Sequence, residues 1–281
     1  MPQSLYIHHN CYAMLEEVRT DLNEYNTALV QGSEVGAYDN SDIVRKLNQA
    51  QKYIWGLLFQ RYPEMFLTSS AVTGSSGSYT IPSDLYRLSH IINSDGEKIS
   101  PISVKIKHAS GSGNDYLYYR YGNTIVRDGG GSDALTFFYY KTVKELTQGV
   151  TSAGGSKSMT LATTAKPVAD YYNGLTIESI TGGWDDTISD YSAVRVATIV
   201  TNTSASSQYY GTVSELPEPF HHLISRRATL MLKNSVTSPQ DNKATEMSDF
   251  REDLIETLRS YAGTREDVSL DEVFYSFEPY Y

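Results

Sequence analysis

Along this chain the spacing of apolar residues changes twice, from a helical period to a strand period and back again. Leu15, Val18, Leu22, Tyr25 and Leu29 recur at intervals of three and four between Glu16, Glu17, Asp21 and Glu24, which predicts an amphipathic helix. Gly32 and Gly36 end it and open a loop. A second helix begins at Asn40 or Ser41, either of which can cap, with Asp42 in the first turn where the helix dipole favours a carboxylate. Ile43, Leu47, Ala50, Ile54, Leu58 and Tyr62 share its apolar face, and Pro63 stops it.

From Ser69 the period becomes two. Residues 70–78 read as a Gly/Ser loop and 79–82 as a strand ended by Pro82. Further strands are predicted at 88–93, 99–104, 116–121, 124–126 and 135–141, with Asp95-Gly96 and Gly122-Asn123 as hairpin-type turns. A second β-rich block, dense in Ser, Thr and Gly, carries expected strands at 158–162, 175–180, 194–200 and 208–210. Its stretches 149–156 and 202–207 read as boundaries or internal loops. Helical period returns after Pro217-Glu218-Pro219, with Phe220, Leu223, Ile224, Arg227, Ala228 and Met231 on one face. Beyond the break at Ser238-Pro239, Met247, Phe250, Leu254, Leu258 and Tyr261 mark another helix, with Gly263 as its C-cap.

Four amphipathic helices split between the two ends of a chain have only one another to bury their stripes against. The expected fold class is therefore α+β: a small antiparallel helical bundle formed by the N- and C-terminal helices, with a β-strand region and an additional inserted β-domain. The expected segments are 1–68 for the N-terminal helices, 69–146 for the β-strand region, 147–213 for the inserted β-domain, 214–263 for the C-terminal helices and 264–281 for an interaction tail. That tail sets Val268, Leu270, Val273, Phe274, Tyr275, Phe277, Tyr280 and Tyr281 among acidic residues. So many large apolar groups predict that it orders on another subunit or a different protein, the alternative being to pack back along its own bundle.

Composition narrows the function without fixing it. The 281 residues are 40% hydrophobic and 20% charged, ordinary for a soluble globular protein. No apolar run approaches the roughly 20 residues of a membrane span, and the first ten residues lack the basic start and apolar core of a secretory signal. Cys11, the only cysteine, excludes an internal disulfide framework and fits synthesis in a reducing cytoplasm, as a small semi-buried residue opening a helix. A net charge of -10 argues against tight phosphate binding and suits a surface that DNA passes without sticking. The 23 tyrosines, with pairs such as Tyr118-Tyr119, Tyr139-Tyr140 and Tyr171-Tyr172, fit half-buried strands or a large surface given over to neighbours.

Reactive constellations do not emerge. His8-His9 and His221-His222 are adjacent pairs whose side chains diverge, and neither has a third ligand at a metal spacing. Gly111-Ser112-Gly113 and Gly129-Gly130-Gly131 lack the lysine and following helix of a phosphate loop. Asp185, Asp186 and Asp190 read as an acidic turn without the glycine and terminal glutamate of a calcium loop. Asn202-Thr203-Ser204 is a glycosylation triplet that means nothing without secretion. No G-x-S-x-G or H-E-x-x-H pattern is present. The expectation is a non-enzymatic protein with no catalytic residues, no metal and no cofactor.

Three runs decide the reading: Leu47-Asn48-Gln49-Ala50-Gln51-Lys52-Tyr53-Ile54-Trp55, then Tyr62-Pro63-Glu64-Met65-Phe66, then Tyr79-Thr80-Ile81-Pro82-Ser83-Asp84-Leu85-Tyr86-Arg87-Leu88. With Leu216-Pro217-Glu218-Pro219-Phe220-His221-His222-Leu223-Ile224 and Arg227-Ala228, they resemble the head-to-tail adaptor (connector, head completion) proteins of tailed bacteriophages. The resemblance covers roughly residues 11–145 and 214–260, and it rests on punctuation: prolines that end a helix, close a strand and start a helix.

The resemblance implies a virion protein of the neck, a homo-oligomeric ring, typically of twelve subunits, between the portal and a tail or nozzle protein. Genomic DNA passes non-specifically through its channel, and no membrane is involved. It also implies a portal-binding C-terminal segment with Val273, Phe274, Tyr275, Phe277, Tyr280 and Tyr281 as anchors. Tyr171-Tyr172-Asn173-Gly174-Leu175-Thr176-Ile177 in the inserted β-domain looks like a module of other phage virion proteins. This domain is expected on the outside of the ring, where Tyr171, Tyr172 and Trp184 would meet a tail fibre or spike. The competing readings are another tail or neck component, such as a tail terminator or tube protein, and a carbohydrate-binding virion protein using those same three rings as a platform.

Overall fold

The computed structural model describes residues 8–22, 38–103, 116–203, 206–233 and 240–262. It contains four helices, α1 (Cys11–Asp21), α2 (Asn40–Arg61), α3 (His221–Lys233) and α4 (Gln240–Ala262). Thirteen strands lie between them: β1 (Leu67–Val72), β2 (Ser78–Thr80), β3 (Leu85–Ile92), β4 (Lys98–Pro101), β5 (Leu117–Tyr121), β6 (Thr124–Arg127), β7 (Leu135–Lys141), β8 (Gln148–Val150), β9 (Ala153–Thr160), β10 (Thr176–Ser179), β11 (Trp184–Tyr191), β12 (Val196–Thr203) and β13 (Tyr209–Thr212). The chain divides into two compact units, residues 1–54 with 145–281, and residues 55–144.

The unit of residues 55–144 is a seven-stranded sheet in the order β1-β7-β3-β4-β5-β6-β2, antiparallel except for β4 beside β5. Alternation drives it: along β7, Leu135, Phe137 and Tyr139 point into the core with Ile91, Ile99, Ile125 and Tyr79, and the residues between them point out. The Pro82-Ser83-Asp84 corner is closed from two sides. Tyr139 Oη donates to Asp84 Oδ1 at 2.8 Å, and the Asp84 carbonyl accepts from Thr142 N–H at 2.8 Å.

The other unit holds a six-stranded, wholly antiparallel sheet in the order β8-β13-β10-β11-β12-β9, with α1, α3 and α4 and most of α2. The expected helical bundle is overturned here: among the described residues thirteen strands in two sheets stand beside four α-helices, not a bundle carrying β insertions. The reason lies in α1, whose buried Cys11, Met14, Leu15 and Val18 are shared between α3 and the sheet strands β8 and β13. A helix that buries part of its stripe on a sheet does not need three helical partners.

Helix limits follow the capping logic. Asn10 Oδ1 accepts from Tyr12 and Ala13 N–H at 2.8 and 3.0 Å and so caps α1, with Cys11 fully buried behind it. Helix α2 runs from Asn40 and stops before Pro63 as its residues dictate. Three strand expectations fail. Residues 67–72, the last three of them expected to open a Gly/Ser loop, form β1; the Gly/Ser stretch 149–156 contributes to β8 and β9; and the acidic residues Asp185, Asp186 and Asp190 lie on β11. Asp186 is accommodated because its carboxylate accepts from the backbone N–H groups of Thr187, Thr201 and Asn202, which holds it below the usual carboxylate range against the opposing effect of burial.

Candidate interaction surface

The entry of the chain into the sheet of residues 148–212 is a polar lock. Glu178 on β10 is buried, and its Oε2 accepts from Asn10 Nδ2 at 2.8 Å and from His8 N–H at 3.1 Å. The same Asn10 that caps α1 thus pins the helix start to the sheet. Gly211 on β13 lets it come this close: a Cβ there would stand 2.5 Å from Asn10 Oδ1 and 2.8 Å from Tyr12 N.

A second cluster joins the two histidine pairs that the sequence keeps more than two hundred residues apart. His9 Nε2 lies 2.9 Å from Glu17 Oε2, and Ser225 Oγ donates to the same oxygen at 2.5 Å. Burial opposes ionisation of Glu17, but those two hydrogen bonds and the nearby His9 and His222 rings hold its carboxyl below the ordinary range. Burial pushes His221 and His222 below the usual histidine range, and His221 Nε2 lies 2.7 Å from the Leu216 carbonyl. Among the described residues no group of three or more His, Cys, Asp and Glu side chains converges as metal ligands would.

Tyr171, Tyr172 and Trp184 belong to one packed cluster. Tyr172 is buried, with its ring edge-on to Tyr171 and to Tyr191 at 4.9 Å each, and its hydroxyl accepts from Lys166 N–H at 3.2 Å. Tyr171 and Trp184 are half-buried against the same core. Tyr171 Oη accepts from Glu145 N–H at 3.0 Å, while Lys166 Nζ sits 4.6 Å from its ring centre. Glu145 in turn accepts from Lys52 on α2 and from Lys166, both at 2.9 Å, and this double pairing outweighs burial to lower its carboxyl. Asn48 completes the clasp, its amide exchanging both hydrogen bonds with the backbone of Leu146 at 2.7 and 3.0 Å. The Asn48-to-Ala50 core of the α2 motif therefore has a physical role: Ala50 is buried and Asn48 ties α2 to residues 145–146.

In the unit of residues 55–144 the surface feature is aromatic. Trp55 stacks on Phe59 at 5.2 Å and meets Phe66 and Tyr86 edge-on at 5.9 and 4.8 Å; Phe59 meets Tyr140 at 5.6 Å. Arg87 lies over the Phe59 and Tyr140 rings at 5.2 and 4.6 Å. Tyr86 is 56% exposed on top of this stack. Buried tryptophan under exposed tyrosine and arginine is the composition of a binding hot spot. The sequence carries a signal for it, a second apolar stripe on α2 at Trp55 and Phe59, four residues apart and off the face through Ile54 and Leu58.

The remaining expected anchors, Val273, Phe274, Tyr275, Phe277, Tyr280 and Tyr281, lie outside the described residues, as do Gly111-Ser112-Gly113 and Gly263. Among the described residues no helix is long and apolar enough to cross a membrane. The geometry braces: ring stacks, backbone clasps and ion pairs join elements distant in sequence. No curated protein matches the chain. The model of the family described as SU10 adaptor protein matches residues 10–178, which span α1, α2, the whole first sheet and the second sheet as far as β10. The chain belongs to the SU10 adaptor protein family, a family of phage adaptors.

Proposed function

We propose that the chain is one subunit of a homo-oligomeric ring, twelve-membered in the typical case, seated between the portal and the tail or nozzle protein of a tailed phage. DNA passes through the ring's centre, and the protein contributes no catalysis. The observation that carries this reading is the family match over α1, α2 and the first sheet. The exposed Tyr86 and Arg87 on the Trp55–Phe59 stack support it, because a ring subunit needs a heterologous surface that its neighbour does not duplicate. Val273, Phe274, Tyr275, Phe277, Tyr280 and Tyr281 are the proposed portal anchors. The sheet of residues 148–212 is the proposed outer face toward a fibre or spike, with Tyr171 and Trp184 as the partly exposed members of its aromatic set.

The test is the mass of the purified full chain by light scattering, with and without a portal ring. A discrete higher oligomer, or a monomer that assembles only on the portal, is the expected result. A monomer whose mass the portal leaves unchanged overturns the proposal.

A further inference from the structure

The two sheets have four outer strands among the described residues, and three of them are shielded in ways that natural sheets use against unwanted pairing. The outer edge of β2 is occupied by a tight turn, in which Ser75 and Ser78 exchange backbone hydrogen bonds at 2.9 and 3.0 Å. Strand β8 is three residues long, and its Gln148 carbonyl accepts from Thr164 Oγ1 at 3.3 Å. Strand β9 contains Lys157 at a φ of 60° and loses register with β12 between Thr198 and Thr203.

Strand β1 has no such device. Leu67-Thr68-Ser69-Ser70-Ala71-Val72 carries no charge, proline or glycine, and its register with β7 is unbroken over all six residues. The Leu67 N–H turns back to the Glu64 carbonyl. From Thr68 to Val72 the backbone groups turned away from β7 meet no partner among the described residues. Leu67, Ser69 and Ala71 are exposed, and Val72 lies against the core of the first sheet. At the start of the strand Leu67, 44% exposed, pairs with Tyr140, whose ring carries Arg87 and Phe59. An open ladder edge beside an aromatic anchor is the arrangement by which one protein takes an extended segment of another as an added strand.

We infer that the outer edge of β1 receives an extended segment of a different virion protein, which becomes the eighth strand of the first sheet. The inference rests on the ring reading above and names one of that ring's docking edges. Pairing of β1 with β1 of another copy is an isologous, two-fold contact, which a cyclic head-to-tail ring does not provide. The other strand edges among the described residues are shielded, and the reading above gives the tail of residues 264–281 to the portal, so the donor we infer is a segment of a different protein. Its chemistry follows from β1: about six residues without charge, apolar on the side that continues the core beside Val72, and small or apolar beside Leu67 and Ala71.

The experiment is amide hydrogen exchange of residues 67–72 in the purified ring and in intact virions. In virions these amides are expected to slow at least tenfold relative to the ring alone. Equal exchange in both states overturns the inference, as does full protection already in the ring alone, which makes a neighbouring copy the occupant. Ser69→Pro and Ser70→Pro supply a second readout. Adjacent N–H groups face opposite edges, so one variant breaks the ladder to β7 and the other removes only an outward donor. The variant that keeps the melting temperature is expected to reduce incorporation into particles at least tenfold; incorporation equal to that of the unaltered chain overturns the inference. Ring mass is measured separately, so loss of the ring reading and loss of the strand contact are distinguishable.

Discussion

The two sheets use the same residue type in different ways. In the sheet of residues 148–212 three tyrosines, Tyr172, Tyr191 and Tyr210, are interior and their hydroxyls hold loops. Tyr172 and Tyr210 accept from the N–H groups of Lys166 and Ala162 at 3.2 and 3.0 Å, and Tyr191 donates to the Lys166 carbonyl at 2.8 Å. The connection from β9 to β10 is therefore tied to the core through three phenols. In the first sheet three tyrosines, Tyr79, Tyr118 and Tyr139, are buried too, beside Ile, Leu and Phe. There, however, hydroxyls serve the rim and a corner, as where Tyr79 Oη donates to the Gly131 and Asp133 carbonyls at 3.1 and 2.8 Å and Tyr139 Oη to Asp84. A tyrosine gives a core both apolar area and a directional end, and the second sheet uses that end to fix long connections without helices. The lesson for an adaptor is that abundant tyrosine need not signal exposed interface.

The strongest way to break this comparison is to empty one core at a time. Tyr210→Ala removes a fully buried ring and is expected to cost about 3–5 kcal/mol, as is Phe137→Ala in the first sheet. If the two units are separate cores, exchange protection falls over residues 145–262 in the first variant and over 67–141 in the second. Loss of protection across both units from either variant would show that the cores are one cooperative body.

The second prediction removes hydroxyls only. Tyr172→Phe deletes the acceptor of the Lys166 N–H and is expected to lower stability by about 1 kcal/mol, with faster exchange in the 161–172 connection. Tyr118→Phe in the first sheet deletes a hydroxyl with no hydrogen-bond partner among the described residues, and is expected to change stability by less than about 0.5 kcal/mol. Melting curves distinguish the two, and equal shifts would remove the contrast.

These contacts also explain which parts of the molecule were legible in the sequence. Helix α2 was, because its apolar spacing, first-turn Asp42 and terminal Pro63 are all local signals. Most strands of the first sheet were legible for the same reason, through period-two runs such as Leu135–Lys141. Strand β11 was not: Asp185, Asp186 and Asp190 look like a turn until the N–H groups of Thr201 and Asn202, fifteen and sixteen residues away, arrive to satisfy Asp186. The partner of α1 was hidden too. Its contact with β13 depends on Gly211 and on Glu178, and nothing local links either residue to Asn10. The sequence marks Tyr171 and Tyr172 as candidates for an outer contact, and only the packed fold reveals that one phenol supports residue 145 and the other supports residue 166.

The smallest expected effect is a pH dependence that separates the units. Among the described residues every carboxyl and histidine with a displaced pKa belongs to the unit of residues 1–54 and 145–281: Glu17, Glu145, Asp186, His221 and His222 are lowered and Asp21 is raised. A lowered group takes up its proton less readily folded than unfolded. The stability it contributes is thus complete above its ordinary range and is lost as pH falls through that range. For His221 and His222 the loss begins in the ordinary histidine range; for Glu17, Glu145 and Asp186 it follows in the carboxylate range. Asp21, raised by burial and by the charge of Glu17, acts in the opposite sense and offsets part of the loss. Five groups against one leave a net acid sensitivity, modest because Glu17 and its partners keep some solvent contact. Amide exchange across an acid titration is expected to loosen residues 8–22, 145–203 and 206–233 before residues 67–103 and 116–141. Simultaneous loosening would mean that the polar locks of one sheet also hold the apolar core of the other.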